Sequence, residues 1–356
     1  TNLPFDLLHT KTVTISMQIT LATPSFIVAY LSFSSLVCWN PSDLHFKMRG
    51  GTIHINSHFD DNVMAETIEK AMRSGDKEKV VLQLLQINNI QRQMLRTPYK
   101  TRYGKDLEEA IAKALGGDLE KLALSLMNTV TKEDAVCLQT AVKGLGTDEK
   151  VLNEIISTRT NEELAAIRNT YLSNYKRTLD EAVAADTSGD YKKLLLTLLQ
   201  GIRDEGHHAD SARIRQAIDI LSAPAEKKDK HEKYAVLGAA NFHELAQILD
   251  GVQKKTGKSL EEQIKKECSG DFKEAVTVLY RIASMGKPRF FADQINAAVK
   301  GFGTNSKDLI RILVSRSEID LEDIKDVYAA VHGKRLDDTI KEECKGAYQH
   351  ALFELV

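Results

Sequence analysis

The chain is poor in the residues that break or staple a fold: six prolines, one tryptophan and four cysteines in 356 residues. Few helix breakers in a chain rich in Leu, Ala, Glu and Lys argue for helix over sheet. Cys38, Cys137, Cys268 and Cys344 are thinly spread and form no Cys-x-x-Cys pair. That gives no sign of a disulfide framework and fits reduced thiols in a cytosolic protein. An excess of one charge is also missing, since 48 Lys and Arg face 50 Asp and Glu, and there is no long basic run. Unaided attraction to nucleic acid or to anionic lipid is therefore not expected. Length leaves room for one large core or several small ones, so internal repeats decide the organisation.

Two unrelated patterns recur in step. A Leu-acid-acid stretch appears as KDLEEAI at 105–111, RTLDEAV at 177–183, KSLEEQI at 258–264 and KRLDDTI at 334–340. A Gly stretch followed by a hydrophobic position appears as GGDLEKLA from 116, SGDYKKLL from 188, SGDFKEAV from 269 and KGAYQHAL from 345. Both keep the same unequal intervals, 72, 81 and 76 residues. The chain therefore reads as four repeats, near 60–130, 131–203, 210–285 and 289–356, preceded by residues 1–59, which do not resemble them. The charged, Gly-containing QGIRDEGHHAD at 200–210 is the longer middle linker and predicts two halves joined there.

Within the second repeat, apolar residues at helical spacing mark five short amphipathic helices: Ala135, Leu138 and Val142; Val151 and Ile155; Leu164, Ile167 and Tyr171; Leu179 and Val183; Tyr191, Leu194, Leu195 and Leu198. No comparable strand-like alternation occurs between residues 60 and 356, so the repeats are predicted to be all-α. The first 59 residues differ. From Thr12 to Ser42 there is no charge, VTISMQITL at 13–21 alternates like a strand, and FIVAYLSFSSLVCW follows at 26–39. A signal or membrane anchor, a segment packed on the repeats and a partner-binding arm compete. Many Ser and Thr, Pro24 and a poorly placed apolar region disfavour the first, which leaves a packed or partner-binding arm.

One stretch breaks the helical pattern twice. AVKGLGTDEKVL at 141–152 and AVKGFGTNSKDL at 298–309 place Lys-Gly-x-Gly-Thr 157 residues apart. Two glycines let the backbone turn carbonyl oxygens toward solvent at a helix end, and such oxygens suit a hard cation. Calcium takes six to eight oxygens, so a loop offering about three needs a carboxylate from elsewhere. Asp186 and Glu343 each stand 42 residues after the first glycine of their loop, Gly144 or Gly301, in the turn before the fifth helix.

This combination of Lys-Gly-x-Gly-Thr, an acid about forty residues on, five helices per repeat and four repeats resembles the annexin family over roughly residues 60–356. The resemblance implies an all-α curved disc of four five-helix repeats. It also implies calcium ligands at the carbonyls of Val142, Gly144 and Gly146 with the Asp186 carboxylate, and at those of Val299, Gly301 and Gly303 with Glu343. Three carbonyls and a bidentate carboxylate make five ligands, leaving room for water or a lipid phosphate oxygen.

The other repeats depart from the pattern. The first has KAMRSGDKEKV at 70–80, one residue short by this reading, with Ala114 at the acid position, so no main-type site is expected. The third has LSAPAEKKDKHEKY at 221–234 but keeps Glu267: a rearranged or weak site stays open there, and a solvated charged loop is the preferred reading. Arg159 and Arg316 are expected to brace helix ends through carbonyls, and Thr147 and Thr304 to be helix N-caps. Lys143 and Lys300 stand open between headgroup contact and plain solvation. Cys268 and Cys344 occupy equivalent turns of different repeats, against a disulfide.

The function expected is calcium-dependent binding to anionic, phosphatidylserine-like membranes by a non-enzymatic protein, cytoplasmic and peripheral at membranes when calcium rises. A protein partner for the N-terminal segment and unconventional secretion stay open. The alternative is a helical-repeat scaffold for a protein partner. An enzyme is disfavoured because GLGTDEK lacks the Lys-Ser/Thr ending of a nucleotide loop, follows helix, and has no nucleophile and base beside it.

Overall fold

The chain divides into residues 1–40 and a larger unit of residues 41–356. The computed structural model describes residues 49–356 except 145, 207, 225–229 and 301–302. The strand-like and apolar stretches at 13–21 and 26–39 thus lie outside the described residues, as does Cys38. Among the described residues there are twenty helices and no strand.

Repeat one runs α1 (Asp61–Ser74), α2 (Lys77–Leu85), α3 (Asn89–Met94), α4 (Arg96–Tyr103), α5 (Leu107–Ala114) and α6 (Gly117–Met127). Its third helix is in two pieces because Pro98 has no N–H to give the carbonyl of Met94, so the ladder breaks near Leu95. Repeat two has the five helices expected: α7 (Val130–Ala141), α8 (Glu149–Thr158), α9 (Asn161–Tyr175), α10 (Leu179–Asp186) and α11 (Gly189–Leu199). Repeat three contributes α12 (Ser211–Ser222), α13 (Lys230–Ala239), α14 (Phe242–Thr256), α15 (Leu260–Glu267) and the first half of α16 (Gly270–Val299). The second half of α16 is the first helix of repeat four, beyond a kink at Gly286 with φ 80° and ψ 163°. α17 (Ser306–Arg316), α18 (Leu321–His332), α19 (Leu336–Glu343) and α20 (Gly346–Leu355) follow.

Local chemistry sets the ends. Thr160 with Glu163, Thr178 with Glu181, Asn241 with Glu244 and Ser259 with Glu262 form reciprocal capping boxes at α9, α10, α14 and α15. The third helix of every repeat ends on a left-handed residue, and at that shared position Gly104, Gly257 and Gly333 are joined by Lys176, φ 56°.

The pairing of repeats differs from the two halves predicted from the middle linker. One apolar core combines repeats one and four, with Ile68, Leu84, Leu122, Phe290, Leu313 and Leu352 among its members. The other combines repeats two and three, with Leu138, Ile155, Leu195, Tyr234, Ile248 and Leu279. α2 packs on α20 and α6 on α17, while α11 packs on α13 and α8 on α16. Residues 200–210 therefore run inside one core unit rather than between two. The connection between repeats two and three is the longest of those between repeats, so apolar burial rather than linker length sets the pairing, and the outer repeats close on each other because each has its own apolar face left to bury.

The segment before α1 is part of this closure. Ile53 is buried in the core of repeats one and four, and its N–H donates to the Ser317 carbonyl at 2.9 Å. The Thr52 hydroxyl donates to the Leu355 carbonyl at 2.6 Å, and Arg49 pairs with Asp326 at 3.0 Å. No helix among the described residues is long and apolar enough to cross a membrane.

Candidate metal centre

In repeat two the loop between α7 and α8 is closed by one residue. The Asp148 N–H donates to the Ala141 carbonyl at 2.9 Å, while its carboxylate caps α8 by accepting from the Val151 N–H at 3.3 Å. Repeat four repeats the device with Asn305, whose N–H donates to Ala298 at 2.8 Å and whose side chain accepts from Asp308 N–H at 3.1 Å. Gly144 (φ 119°), Gly146 (φ 90°) and Gly303 (φ 95°) lie where a Cβ is strained. Gly301 is outside the described residues. The carbonyls of Val142, Gly144, Gly146 and Gly303 accept no backbone hydrogen bond outside helices among the described residues. Val299 ends α16, where helix carbonyls lose their intrahelical partners.

Asp186 and Glu343 are the last residues of α10 and α19. The Thr147 hydroxyl lies 2.7 Å from Asp186 Oδ2 and 3.1 Å from its carbonyl oxygen. The Thr304 hydroxyl donates to the Glu343 carbonyl at 2.9 Å. Thr147 and Thr304 thus tie loop to acid and are not N-caps, because each sits one residue before the capping Asp148 or Asn305. Lys143 and Lys300 are exposed.

Repeat one has no counterpart. Its closing bond, Asp76 N–H to Ala71 carbonyl at 3.0 Å, spans five residues where the others span seven, so the loop is two residues shorter rather than one. Ala114 ends α5 and brings no carboxylate. In repeat three Glu267, half-buried, is held by three donors. The Lys233 ammonium donates to its Oε2 at 2.8 Å, the Tyr234 hydroxyl donates to the same atom at 2.7 Å, and the Lys230 ammonium donates to its carbonyl at 2.6 Å. Part of the loop expected to be solvated, residues 225–229, lies outside the described residues.

Arg159 and Arg316 do brace helix ends, but through carboxylates instead of carbonyls. Arg159 makes two bonds to buried Asp134, at 2.7 and 2.8 Å. Burial opposes its charge, yet the Asp134 carboxylate outweighs burial and lifts its pKa above the ordinary guanidinium value. In repeat four the position of Asp134 is held by Phe291, so Arg316 stacks 4.8 Å over that ring and turns to Asp320 at 2.7 Å.

Among the described residues no three His, Cys, Asp or Glu side chains converge to hold a metal, so a cation in these loops depends on backbone carbonyls plus one acid. Cys137, Cys268 and Cys344 are free, and burial pushes the Cys268 thiol up to about 11, which keeps it protonated and unreactive at neutral pH. The threonine ties and Lys233 escaped the sequence reading although each left a trace. Thr147 to Asp186 and Thr304 to Glu343 share one spacing, and Lys233 falls at the register of the core residue Leu152.

The Annexin family model matches residues 63–126, 133–198, 224–279 and 290–355. Annexin A11 of Oryctolagus cuniculus is 37% identical over 310 residues, 86% of this chain, and the match spans only 61% of that protein's length. Annexin A4 of Homo sapiens is 35% identical over 312 residues, 86% of this chain and 98% of that protein. The structure of annexin III superimposes with a TM-score of 0.82 at 33% identity, covering 86% of this chain and 96% of that one. Calcium-bound annexin (Sm)1 does so with 0.75 at 27%, covering 86% and 92%. The four matched repeats and the two paired apolar cores agree: the chain belongs to the annexin family.

Proposed function

We propose that this chain attaches to anionic phospholipid membranes through calcium ions held in the loops of repeats two and four, each ion shared between protein and lipid phosphate. The observation that carries the reading is the Thr147 hydroxyl at 2.7 Å from Asp186 Oδ2, which sets the acid beside the glycine loop. The donor set suits calcium: a hard cation takes carbonyl and carboxylate oxygens and tolerates an irregular shell. Val142, Gly144 and Gly146 with Asp186 would hold one ion, and Val299, Gly301 and Gly303 with Glu343 the other. Both sites leave coordination room for water or a phosphate oxygen. Calcium supplies the positive charge that the near-neutral chain lacks.

With one carboxylate per site, calcium affinity without lipid falls in the range of roughly 10⁻⁴ to 10⁻³ M, and lipid tightens it by mass action. The reading makes the protein non-enzymatic and peripheral, in the cytoplasm until calcium rises, with phosphatidylserine-type lipid as partner and no nucleic acid. The test is co-sedimentation with phosphatidylserine vesicles. Pelleting in millimolar calcium and release by chelator is the expected result, and pelleting indifferent to chelator would overturn it.

A further inference from the structure

The third repeat holds a side chain where the other loops would hold an ion. Counting by the 81-residue interval, Ala223 stands at the position of Val142, and Glu267 at that of Asp186. The Lys233 ammonium bonds both, the Ala223 carbonyl at 2.8 Å and Glu267 Oε2 at 2.8 Å. The carbonyl of Glu267 receives the Lys230 ammonium, as the Asp186 carbonyl receives the Thr147 hydroxyl. Lys230 therefore reproduces the threonine tie of repeat two, and Lys233 joins the two oxygens that match ligands proposed for repeat two.

We propose that repeat three contains a latent calcium site kept closed by Lys233, whose ammonium is a tethered substitute for the ion. The proposal rests on the ligand set read for repeat two. Lys233 reaches the site from a core register, its side chain is 6% exposed, and a buried ammonium is costly unless paired and hydrogen-bonded. Its partners are the two oxygens a calcium ion would claim. An ammonium brings one charge on a covalent stem, so it occupies the site at every calcium concentration. A hollow of about 250 Å³ opens beside Glu267, with Asp190, Asp271 and Lys230 also in its wall. Without the Lys233 ammonium, Glu267 and the Ala223 carbonyl lose their cation beside a wall that carries Asp190 and Asp271. The consequence for the native chain is a third loop that calcium does not reset.

The test uses the full chain without lipid, with calcium as the probe, counting bound ions by equilibrium dialysis and following thermal unfolding in chelator and in calcium. Lys233→Met is expected to melt below the parent in chelator, to gain more from calcium than the parent does, and to bind one additional ion. Lys233→Met with Glu267→Gln is expected to lose that ion. An unchanged ion count in Lys233→Met overturns the proposal. If that variant does not fold, Glu267→Gln alone decides: the proposal requires the parent's ion count, and a count lower by one shows that the native third repeat already binds calcium and overturns it. A parent that binds no ion beside a Lys233→Met variant that binds one would refute the reading of repeats two and four while leaving this inference standing.

Discussion

Glu154 and Arg311 meet side by side, Oε1 at 3.1 Å from Nε and Oε2 at 2.8 Å from Nη2, with side chains 0% and 2% exposed. They are 157 residues apart, the interval between repeats two and four, so they are the same position of two repeats. The pair therefore joins one shared repeat position of α8 to the same position of α17. Identical residues would set like charges together, and the chain resolves this with one acid and one base. Burial opposes the Arg311 charge, but Glu154 and Asp308 outweigh it and raise its pKa. Lys150 with Asp308 and Lys307 with Asp148, both 3.3 Å, flank the pair.

Removing one member should be worse than removing both. Arg311→Met leaves the Glu154 carboxylate buried without its partner, and a loss of about 3–5 kcal/mol is expected for a broken buried pair, while Glu154→Gln should cost less because Arg311 keeps Asp308 at 2.6 Å. The double variant Glu154→Leu with Arg311→Met should recover much of it. Urea midpoints of the three variants provide the check.

The glycine loops of repeats two and four allow charge to be separated from positioning. Asp186→Ala and Glu343→Ala should each raise the calcium midpoint of vesicle binding, and together nearly abolish binding. Asp186→Asn keeps an acceptor for Thr147 but removes the charge, so it should behave like the alanine variant. Thr147→Val keeps the charge and loses only the tie, a bond to a charged group worth about 1.5–3 kcal/mol when well formed, so a smaller shift is expected. Equal midpoints for Thr147→Val and Asp186→Ala would show that loop placement, not ligand charge, governs the affinity.

The segment before α1 is structural from its first described residues. A Cβ on Gly51 would come 2.3 Å from the Ser317 carbonyl oxygen and 2.6 Å from the Glu318 backbone. Backbone cannot step aside as a side-chain tip can, so Gly51→Ala should cost about 1–3 kcal/mol. A chain begun at Asp60 should keep its helical circular dichroism but melt lower, since it lacks Ile53 and the bonds to Ser317 and Leu355.

Lys287 predicts a pH dependence. Burial, then the nearby Arg316 and Arg203 charges, lower its pKa from 10.5 to about 8. Its ammonium shares the Phe242 ring with Arg203, at 5.1 and 4.3 Å. Below about pH 8 the group is charged in both states and the burial penalty is fully present. Between about 8 and 10.5 the unfolded chain binds a proton that the folded chain lacks, so stability from this group rises with pH. Lys287→Met should therefore be more stable than the parent at pH 7, and the gap should narrow by pH 9.5. A constant gap in urea midpoints across that range would refute the assignment.

Helix content, the fourfold register, the glycine loops and the acids opposite them were legible because each is a property of order along the chain. Apolar spacing of three and four marks a helix face wherever the chain goes, and a pair of glycines marks a broken helix without reference to neighbours. The two-piece third helix of repeat one was equally local, since Pro98 announces it. The closing bonds of Asp148 and Asn305 were within reach too, but the threonines beside them drew the N-cap assignment, one residue off.

What the sequence by itself determined is the set of parts: four repeats, two intact loops and one carboxylate for each. Only the tertiary structure decided which parts face which. Repeat one closes on repeat four because their apolar faces would otherwise stay in water, and that long-range burial has no signature in the linker between repeats two and three. Glu154 met Arg311, and Lys233 met Glu267, because a charge carried into a packed interior must find its opposite there, and the partner it finds is set by packing rather than by distance along the chain.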